Sequence, residues 1–223
     1  MYLHFFKFGY NIYVEIRGGK MIYVMMGGPA TGKGTRSKIL SKELNIPHIS
    51  TGTMLREEAT QNEELAKVLS EGKLVSDDLV NKALYKRLKR ADCKNGFVLD
   101  GYPRNLEQAY ALEAMMRKLN MEITEVLELV IPRALAFKRI LERRECPNCK
   151  KVYGVDFPPK DGKHCDNCGS ELFARADDTE ETLTKRIEIY ERESKPILDY
   201  YRKKGILKTV DSSRHPEKVM ETI

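Results

Sequence analysis

Residues 21–35, MIYVMMGGPATGKGT, constrain this chain more than any other stretch. An apolar run over residues 22–26 predicts a buried strand. After it come a glycine, four residues and then Gly32-Lys33, which is the spacing of a phosphate-binding loop. The N–H groups of such a loop converge on an anion, and a helix starting near Lys33 adds the positive end of its dipole. The stretch therefore predicts a strand, a phosphate site and a helix in that order, with a ligand-free turn as the alternative.

The remaining composition limits the possible ligands and partners. The length of 223 residues predicts one domain with insertions. The formal net charge is +6, and no run of like charges is long enough for a nucleic-acid-binding tail. No apolar stretch is long enough to cross a bilayer. We therefore expect small anionic ligands, no nucleic-acid or membrane partner, and a cytoplasmic location.

Residues 1–20 are rich in aromatic side chains. They contain neither a clean apolar core nor a small-residue cleavage site, so we do not expect a signal peptide. We interpret them as a non-native or disordered extension, with Met21 as the true start. An additional strand or a mobile arm is the alternative.

Downstream of the loop, helical and strand periods alternate, which predicts an α/β fold whose parallel sheet is covered by helices on both faces. Pro47 predicts that the second core strand lies at an edge or begins there. Ser50-Thr51-Gly52 should cap the helix that follows. Ligands of such sheets bind beyond the carboxyl ends of the strands.

Near the C-terminus, a long helical pattern resumes after Asp178, which we expect to form a capping pair with Glu181. Pro196 lies inside that pattern and predicts a kink or break. A last strand follows Gly205, and residues 215–223 should form a short tail helix.

Four cysteines form two Cys-x-x-Cys pairs that are fifteen residues apart: Cys146, Cys149, Cys165 and Cys168. This is zinc-ribbon spacing, and four thiolates close a tetrahedron around Zn²⁺ without an open position. The sequence therefore predicts a structural zinc site, with two disulfides or free thiols as the alternative. Cys93 remains and should be a plain thiol near a helix end.

Isolated arginines stand near the predicted turns, where their guanidinium forks suit phosphate oxygens. For any one of them, a surface ion pair is the alternative. Their order, the phosphate loop and the segment Asp100-Gly101-Tyr102-Pro103-Arg104 together resemble the adenylate kinase family, collinearly from residue 21 to about residue 216. Ala30 stands where that family usually has glycine, and we expect a negative φ there.

The resemblance implies a P-loop fold of three layers with a central five-stranded parallel sheet. It implies a helical monophosphate-binding insertion at residues 50–79, a zinc-binding lid at residues 144–177, and a core of residues 21–49, 80–143 and 178–223. The implied reaction is reversible transfer of the terminal phosphoryl group of ATP to AMP, which gives two ADP. The implied protein is a monomer that uses Mg²⁺ with ATP and carries a structural Zn²⁺.

The same resemblance implies the residues of each subsite. The catalytic cations would be Lys33, Arg104, Arg139, Arg143, Arg175 and Arg186. ATP would lie on Ala30, Thr31, Gly32, Lys33, Gly34, Thr35, Arg139, Arg143 and Arg214. AMP would lie on Thr51, Arg56, Lys73, Leu74, Val75, Gly101, Tyr102, Pro103, Arg104, Gln108, Arg175 and Arg186. Gln108 would read adenine by a paired amide contact, and Asp100 would hold Mg²⁺ through water. Asp177 and Asp178 would be hinge or capping groups.

Two other functions remain open at this point. One is a kinase for another nucleoside monophosphate (UMP, CMP or GMP), although Thr51 and Gln108 favour adenine. The other is a nucleic-acid-binding zinc-ribbon protein with a nucleotide switch. Such binders show basic stripes interleaved with aromatic residues, whereas the arginines here are scattered singly.

Overall fold

The computed structural model describes residues 2–7, 10–15, 19–60, 63–70, 75–175 and 178–216. The strands in chain order are β1 (Tyr2–Lys7), β2 (Tyr10–Glu15), β3 (Met21–Gly27), β4 (His48–Ser50), β5 (Gly96–Asp100), β6 (Glu125–Val130), β7 (Arg144–Glu145), β8 (Val152–Tyr153) and β9 (Leu207–Asp211). The helices are α1 (Lys33–Leu44), α2 (Thr51–Ala59), α3 (Glu63–Ser70), α4 (Asp77–Leu88), α5 (Leu106–Lys118), α6 (Arg133–Leu141) and α7 (Glu180–Lys203).

A five-stranded parallel sheet has the order β4-β5-β3-β6-β9, so β3 lies at its centre. Strands β3 and β5 pair from Met21 opposite Gly96 to Met25 opposite Asp100. Every residue of β3 is buried. Burial on both faces of a strand requires cover on both sides of the sheet. The predicted α/β fold is therefore confirmed, and β4 lies at the edge as Pro47 predicts.

The internal contacts divide the chain into two compact units. The first unit takes the described residues of Met1–Met26, Ser37–Glu128 and Ser194–Lys208, and the second takes those of Gly27–Arg36, Leu129–Glu193 and Thr209–Ile223. The main apolar core, which includes Ile22, Phe97, Leu112 and Tyr201, belongs to the first unit. The predicted insertion at residues 50–79 lies within the first unit, and the predicted lid at residues 144–177 lies within the second.

Strands β1 and β2 form an antiparallel sheet of their own, from Tyr2 opposite Glu15 to Lys7 opposite Tyr10. Both strands lie within residues 1–20. Whether that segment is a non-native extension stays a prediction. Within the described residues, no helix combines the length and the apolar character needed to cross a membrane.

Two predicted helix caps are wrong. Ser50 precedes α2, but its side chain makes no capping hydrogen bond. At α7 the cap is Thr179, whose hydroxyl accepts a hydrogen bond from the Thr182 N–H at 3.2 Å. The Asp178 carboxylate accepts hydrogen bonds from Arg143 instead. A carboxylate binds a guanidinium more strongly than it binds a backbone N–H. Asp178 therefore pairs with Arg143, and the Thr179 hydroxyl caps the helix.

The sequence predicts a kink or a break at Pro196, and the break is absent, because α7 runs from Glu180 to Lys203 with Pro196 inside it. An interior proline costs a helix about 3 kcal/mol. Directly after it, Ile197, Leu198 and Tyr201 are buried in the core of the first unit. Burying such side chains stabilises by about 1.5–3 kcal/mol each, which is enough to keep the helix continuous. The predicted tail helix falls largely on residues 217–223, outside the described residues.

Candidate functional site

The phosphate loop of the second unit joins β3 to α1 along a path that depends on glycine. Gly27 has φ +148° and Gly32 has φ +78°, a region that L side chains rarely adopt. A Cβ on Gly27 would lie 2.8 Å from the Leu129 carbonyl oxygen. Helix α1 begins at Lys33, and Gly34 and Thr35 belong to its first turn. The strand, loop and helix therefore follow in the predicted order.

Lys33 reaches back across this loop. Its Nζ donates hydrogen bonds to the carbonyl oxygens of Gly27 at 2.6 Å and Gly28 at 2.9 Å. Phosphate oxygens are stronger acceptors for an ammonium group than neutral carbonyls are. The lysine is therefore positioned to exchange a carbonyl for a phosphate without leaving the loop.

Ala30 contradicts the expectation of a negative φ, because its φ is +62°. The left-handed region costs an L-residue roughly 1–2 kcal/mol, and it persists only where surrounding contacts determine the path. Those contacts are present on both sides of Ala30. Its carbonyl oxygen accepts from Arg139 Nη1 at 3.4 Å, and the Thr31 hydroxyl donates to the Gly28 carbonyl at 2.9 Å. The loop thus keeps the glycine-type backbone despite the side chain.

Arg36 was not among the predicted site residues, but its guanidinium binds the backbone of the phosphate loop. It is 2 % exposed and donates to the carbonyl oxygens of Thr31 at 3.1 Å, Ser212 at 2.8 Å and Arg214 at 2.9 Å. The Ser212 hydroxyl also donates to the Thr31 carbonyl at 2.6 Å. Burial, and then the neighbouring charge of Arg139, lower the pKa of Arg36 to about 10, which leaves it charged at neutral pH. Nothing in the local sequence distinguishes this arginine from a surface residue of α1.

Arg139 belongs to the same cluster of buried groups. It is 8 % exposed, and its guanidinium donates to the Ser212 carbonyl at 3.0 Å and to the Asp156 carboxylate at 3.1 Å. Arg139 also contacts the phosphate loop directly, through the Ala30 carbonyl.

Arg143 and Arg175 are both engaged by carboxylates of the second unit. Arg143 Nε donates to Asp178 at 2.7 Å and a second nitrogen contacts the other carboxylate oxygen, while Arg175 pairs with Glu145. A carboxylate and a phosphate offer a guanidinium the same bidentate geometry. Both arginines can therefore exchange an internal anion for a ligand phosphate. The side chains of Arg186 and Arg214 are exposed.

In the first unit, predicted acceptor-side groups meet at the ends of β4 and β5. Thr51 is 2 % exposed, and its hydroxyl donates to the Gly101 carbonyl at 3.0 Å. The Asp100 carboxylate lies 3.5 Å from His48 Nε2. Two predicted phosphate ligands, Arg56 and Arg104, have exposed side chains. An exposed guanidinium is open to a phosphate, so this arrangement suits the predicted acceptor role.

Gln108 is buried, with 5 % exposure, so it is not a solvated helix residue. Its Oε1 accepts from the Arg104 backbone N–H at 2.7 Å, and its Nε2 donates to Asp77 Oδ1 at 2.6 Å. Asn105 caps α5 by accepting from the Gln108 N–H, and its Nδ2 donates to Asp77 Oδ2 at 2.8 Å. Asp77 therefore receives one amide on each carboxylate oxygen, a partnership that the sequence analysis did not predict.

Tyr102 supports the same segment from the core, next to the buried Pro103. Its hydroxyl lies 2.5 Å from Asn81 Oδ1 and 3.0 Å from the Gln108 carbonyl oxygen, and its one proton is shared between these two acceptors. Burial, and then the charge of Asp77, raise the pKa of Tyr102, so the hydroxyl stays a donor. Of the other predicted pocket residues, Val75 packs against the core, whereas Lys73 and Leu74 lie outside the described residues, as does Asp177.

The four predicted zinc ligands come together in the second unit, with their sulfur atoms all within 4.8 Å of one another. Cys146 Sγ lies 3.3 Å from Cys168 Sγ, and Cys149 Sγ lies 3.4 Å from Cys165 Sγ. A disulfide bond would be about 2.05 Å long, so all four are thiols. Tetrahedral Zn–S bonds of about 2.3 Å place sulfurs about 3.8 Å apart. The four-cysteine cluster therefore fits a structural zinc ion.

The two halves of this cluster have the same local geometry. The residue after each Cys-x-x-Cys pair is left-handed, Lys150 with φ +58° and Gly169 with φ +73°. Each donates its N–H to the carbonyl of the first cysteine of its pair, at 3.1 Å and 2.8 Å. The remaining cysteine, Cys93, is fully buried at the end of a 3-10 turn, as predicted.

The family model described as adenylate kinase matches residues 25–206, a range that contains both the phosphate loop and the Asp100–Gln108 segment. The chain belongs to the adenylate kinase family. Among its relatives, an adenylate kinase of Archaeoglobus fulgidus is 45 % identical over 208 residues, which cover 91 % of this chain and 96 % of the relative. An adenylate kinase of Caldanaerobacter subterraneus subsp. tengcongensis is 43 % identical, with 91 % and 94 % covered. One from Thermosipho africanus is 44 % identical, with 91 % and 97 % covered.

Proposed function

We propose that this member of the adenylate kinase family transfers the terminal phosphoryl group of ATP to AMP, giving two ADP, and catalyses the reverse reaction. The observation that carries the proposal is the family match, which runs through both the donor-type loop and the acceptor-type segment of one chain. Such phosphoryl transfer depends on positioning and on positive charge rather than on covalent chemistry.

On the donor side, the loop residues from Ala30 to Thr35 would hold the phosphates of ATP. Lys33 would bind the terminal phosphate, because its ammonium group already lies over the loop carbonyls. Arg139 and Arg143 would add charge beside it, and Arg214 would lie along the nucleoside. Each arginine that is now held by a carboxylate would exchange that partner for a phosphate oxygen.

On the acceptor side, the exposed guanidinium groups of Arg56 and Arg104 would bind the AMP phosphate. Gln108 would read the base, because a buried amide with two fixed partners is a rigid hydrogen-bonding surface. Thr51, Gly101, Tyr102 and Pro103 would shape the pocket, together with residues 73–75. Arg175 and Arg186 would supply the positive charge that the resemblance assigns to them for AMP and catalysis.

The attacking atom would be an AMP phosphate oxygen, which is already anionic. No side chain needs to remove a proton from it, so the arginines and Lys33 carry the electrostatic work. Mg²⁺ bound with ATP would neutralise charge between the phosphates. The Asp100 carboxylate, at the end of β5, would hold water molecules bound to that Mg²⁺.

The proposal is tested by a coupled assay of ADP formation with AMP, GMP, CMP and UMP as acceptors. Each hydrogen-bond mismatch with the base costs about 1–3 kcal/mol, so two mismatches should make AMP preferred by roughly 10²-fold or more in kcat/KM. Gln108→Ala should remove much of this preference. Glu107→Ala is the matched control, since Glu107 is the exposed neighbour in the same turn of α5.

Equal use of CMP and AMP by the wild type would overturn the adenine assignment and favour a kinase for another monophosphate. If none of the four monophosphates supported turnover, the kinase proposal itself would be overturned. If Gln108→Ala left the preference for AMP unchanged, a residue other than Gln108 would have to recognise the base.

A further inference from the structure

We infer that Asp77 selects the acceptor base by locking the Gln108 amide in one of its two orientations, so that the site takes a 6-aminopurine and rejects a 6-oxopurine. The inference rests on the proposed function, in which Gln108 reads the base. Asp77 is then a positioning residue, because it acts through Gln108.

The two partners of the Gln108 amide can each play only one role in a hydrogen bond. The Arg104 backbone N–H can only donate, and it faces Oε1 at 2.7 Å. An ionised Asp77 can only accept, and its Oδ1 faces Nε2 at 2.6 Å. Turning the amide by 180° would oppose two donors at Arg104 and two acceptors at Asp77. In a group that is 5 % exposed, water cannot relieve either clash.

Asp77 is itself held in place for this task. Its second oxygen, Oδ2, accepts from Asn105 Nδ2 at 2.8 Å. The Asn105 amide is fixed in turn, because its Oδ1 accepts from the Gln108 backbone N–H at 2.8 Å. Asp77, Asn105 and Gln108 form a closed ring of hydrogen bonds at the first turns of α4 and α5, in which Gln108 takes part with its side chain and its backbone N–H. The carboxylate therefore cannot rotate away from Nε2 without losing two bonds.

The locked amide keeps one N–H and one oxygen lone pair for a ligand. Adenine offers an N6 donor beside the N1 acceptor, which matches this pair of groups. Hypoxanthine and guanine offer an O6 acceptor beside an N1–H donor, which would match only the reversed amide. Discrimination between the two base types then depends on the carboxylate that forbids the reversal.

The decisive substitution is Asp77→Asn, which keeps the size of the side chain but lets it donate as well as accept. The reversed Gln108 amide then loses one of the two clashes that oppose it. The readout is the ratio of kcat/KM for AMP to kcat/KM for inosine monophosphate, which differs from AMP only by the oxygen at C6 and the proton on N1. We expect a wild-type ratio of about 10² or more and a fall of about tenfold in Asp77→Asn.

Asp78→Asn is the matched control, because Asp78 is the exposed neighbour that carries the same charge in the same turn of α4. Its ratio should equal that of the wild type. Both constants come from one preparation, so the ratio does not depend on the folded fraction, and a melting curve of each variant records any loss of stability separately.

An unchanged ratio in Asp77→Asn, or an equal fall in Asp78→Asn, would overturn the inference while leaving the proposed kinase reaction in place. A wild type that does not prefer AMP at all would overturn the proposed base reading and this inference together.

Discussion

Replacing Arg36 by Met should destabilise the protein and loosen its phosphate loop. Arg36 donates three hydrogen bonds to backbone carbonyls of the second unit, at Thr31, Ser212 and Arg214. A hydrogen bond from a charged donor contributes about 1.5–3 kcal/mol, so the three together contribute about 4.5–9 kcal/mol. The cost of removing the guanidinium from water, several kcal/mol, offsets part of this. We expect a net loss of about 3 kcal/mol.

Thermal unfolding measures this loss. For a chain of this size, about 1 kcal/mol corresponds to roughly 2–4 °C, so the melting temperature of Arg36→Met should fall by about 6–12 °C. Arg36→Lys keeps the charge but lacks the fork that reaches three carbonyls, so its loss should be intermediate. Lys38→Met is the matched control, since Lys38 is exposed on the same helix and surface changes cost about 0.5 kcal/mol or less.

The same variant should also change nucleotide binding selectively. The bonds of Arg36 fix the loop and the turn after β9, and neither belongs to the first unit. The KM for ATP should therefore rise more than the KM for AMP. A melting temperature of Arg36→Met equal to that of Lys38→Met would refute the reasoning, because it would show that the three bonds merely replace equally good bonds to water.

Replacing Lys33 or Arg143 by Met should lower kcat by about two to five orders of magnitude, since each would stabilise charge on the transferring group; near-normal turnover would contradict the assigned role. Metal analysis should find one Zn²⁺ per chain, and chelation should lower the melting temperature while circular dichroism still reports a folded core. Absence of zinc, with all four ligand thiols reactive in the native protein, would defeat that prediction. A chain that begins at Met21 should fold and turn over like the full chain, and a melting temperature lower by several degrees would show that residues 1–20 stabilise the core.

The features predicted best are those encoded by neighbouring residues. The phosphate loop follows from glycines, a lysine and an apolar strand within fifteen positions, and the zinc cluster follows from two Cys-x-x-Cys pairs. Local spacing fixes local geometry in both cases, because the short chain between the groups leaves few conformations. The parallel sheet is also readable, since buried strands such as β3 must be apolar throughout.

Two of the predictions that were wrong depend on competition with distant groups. The Asp178 carboxylate would suit a helix cap, but Arg143, 35 positions away, binds it more strongly. Pro196 would break an isolated helix, yet the burial of the residues after it keeps α7 continuous. Helix propensity describes an isolated segment of the chain, and tertiary contacts worth several kcal/mol override it.

The sequence by itself determined the class of protein, the order of the strands and helices of the core, the phosphate loop and the set of metal ligands. Only the tertiary structure decided what holds these groups in place. Ser212 donates to Thr31 from 181 positions away, and Asp77 accepts from Gln108 across 31 positions. The left-handed conformation of Ala30 likewise depends on contacts from outside the loop. The sequence shows which hydrogen bonds a side chain can donate or accept. The fold decides its partner, because it brings particular groups within about 3 Å of that side chain.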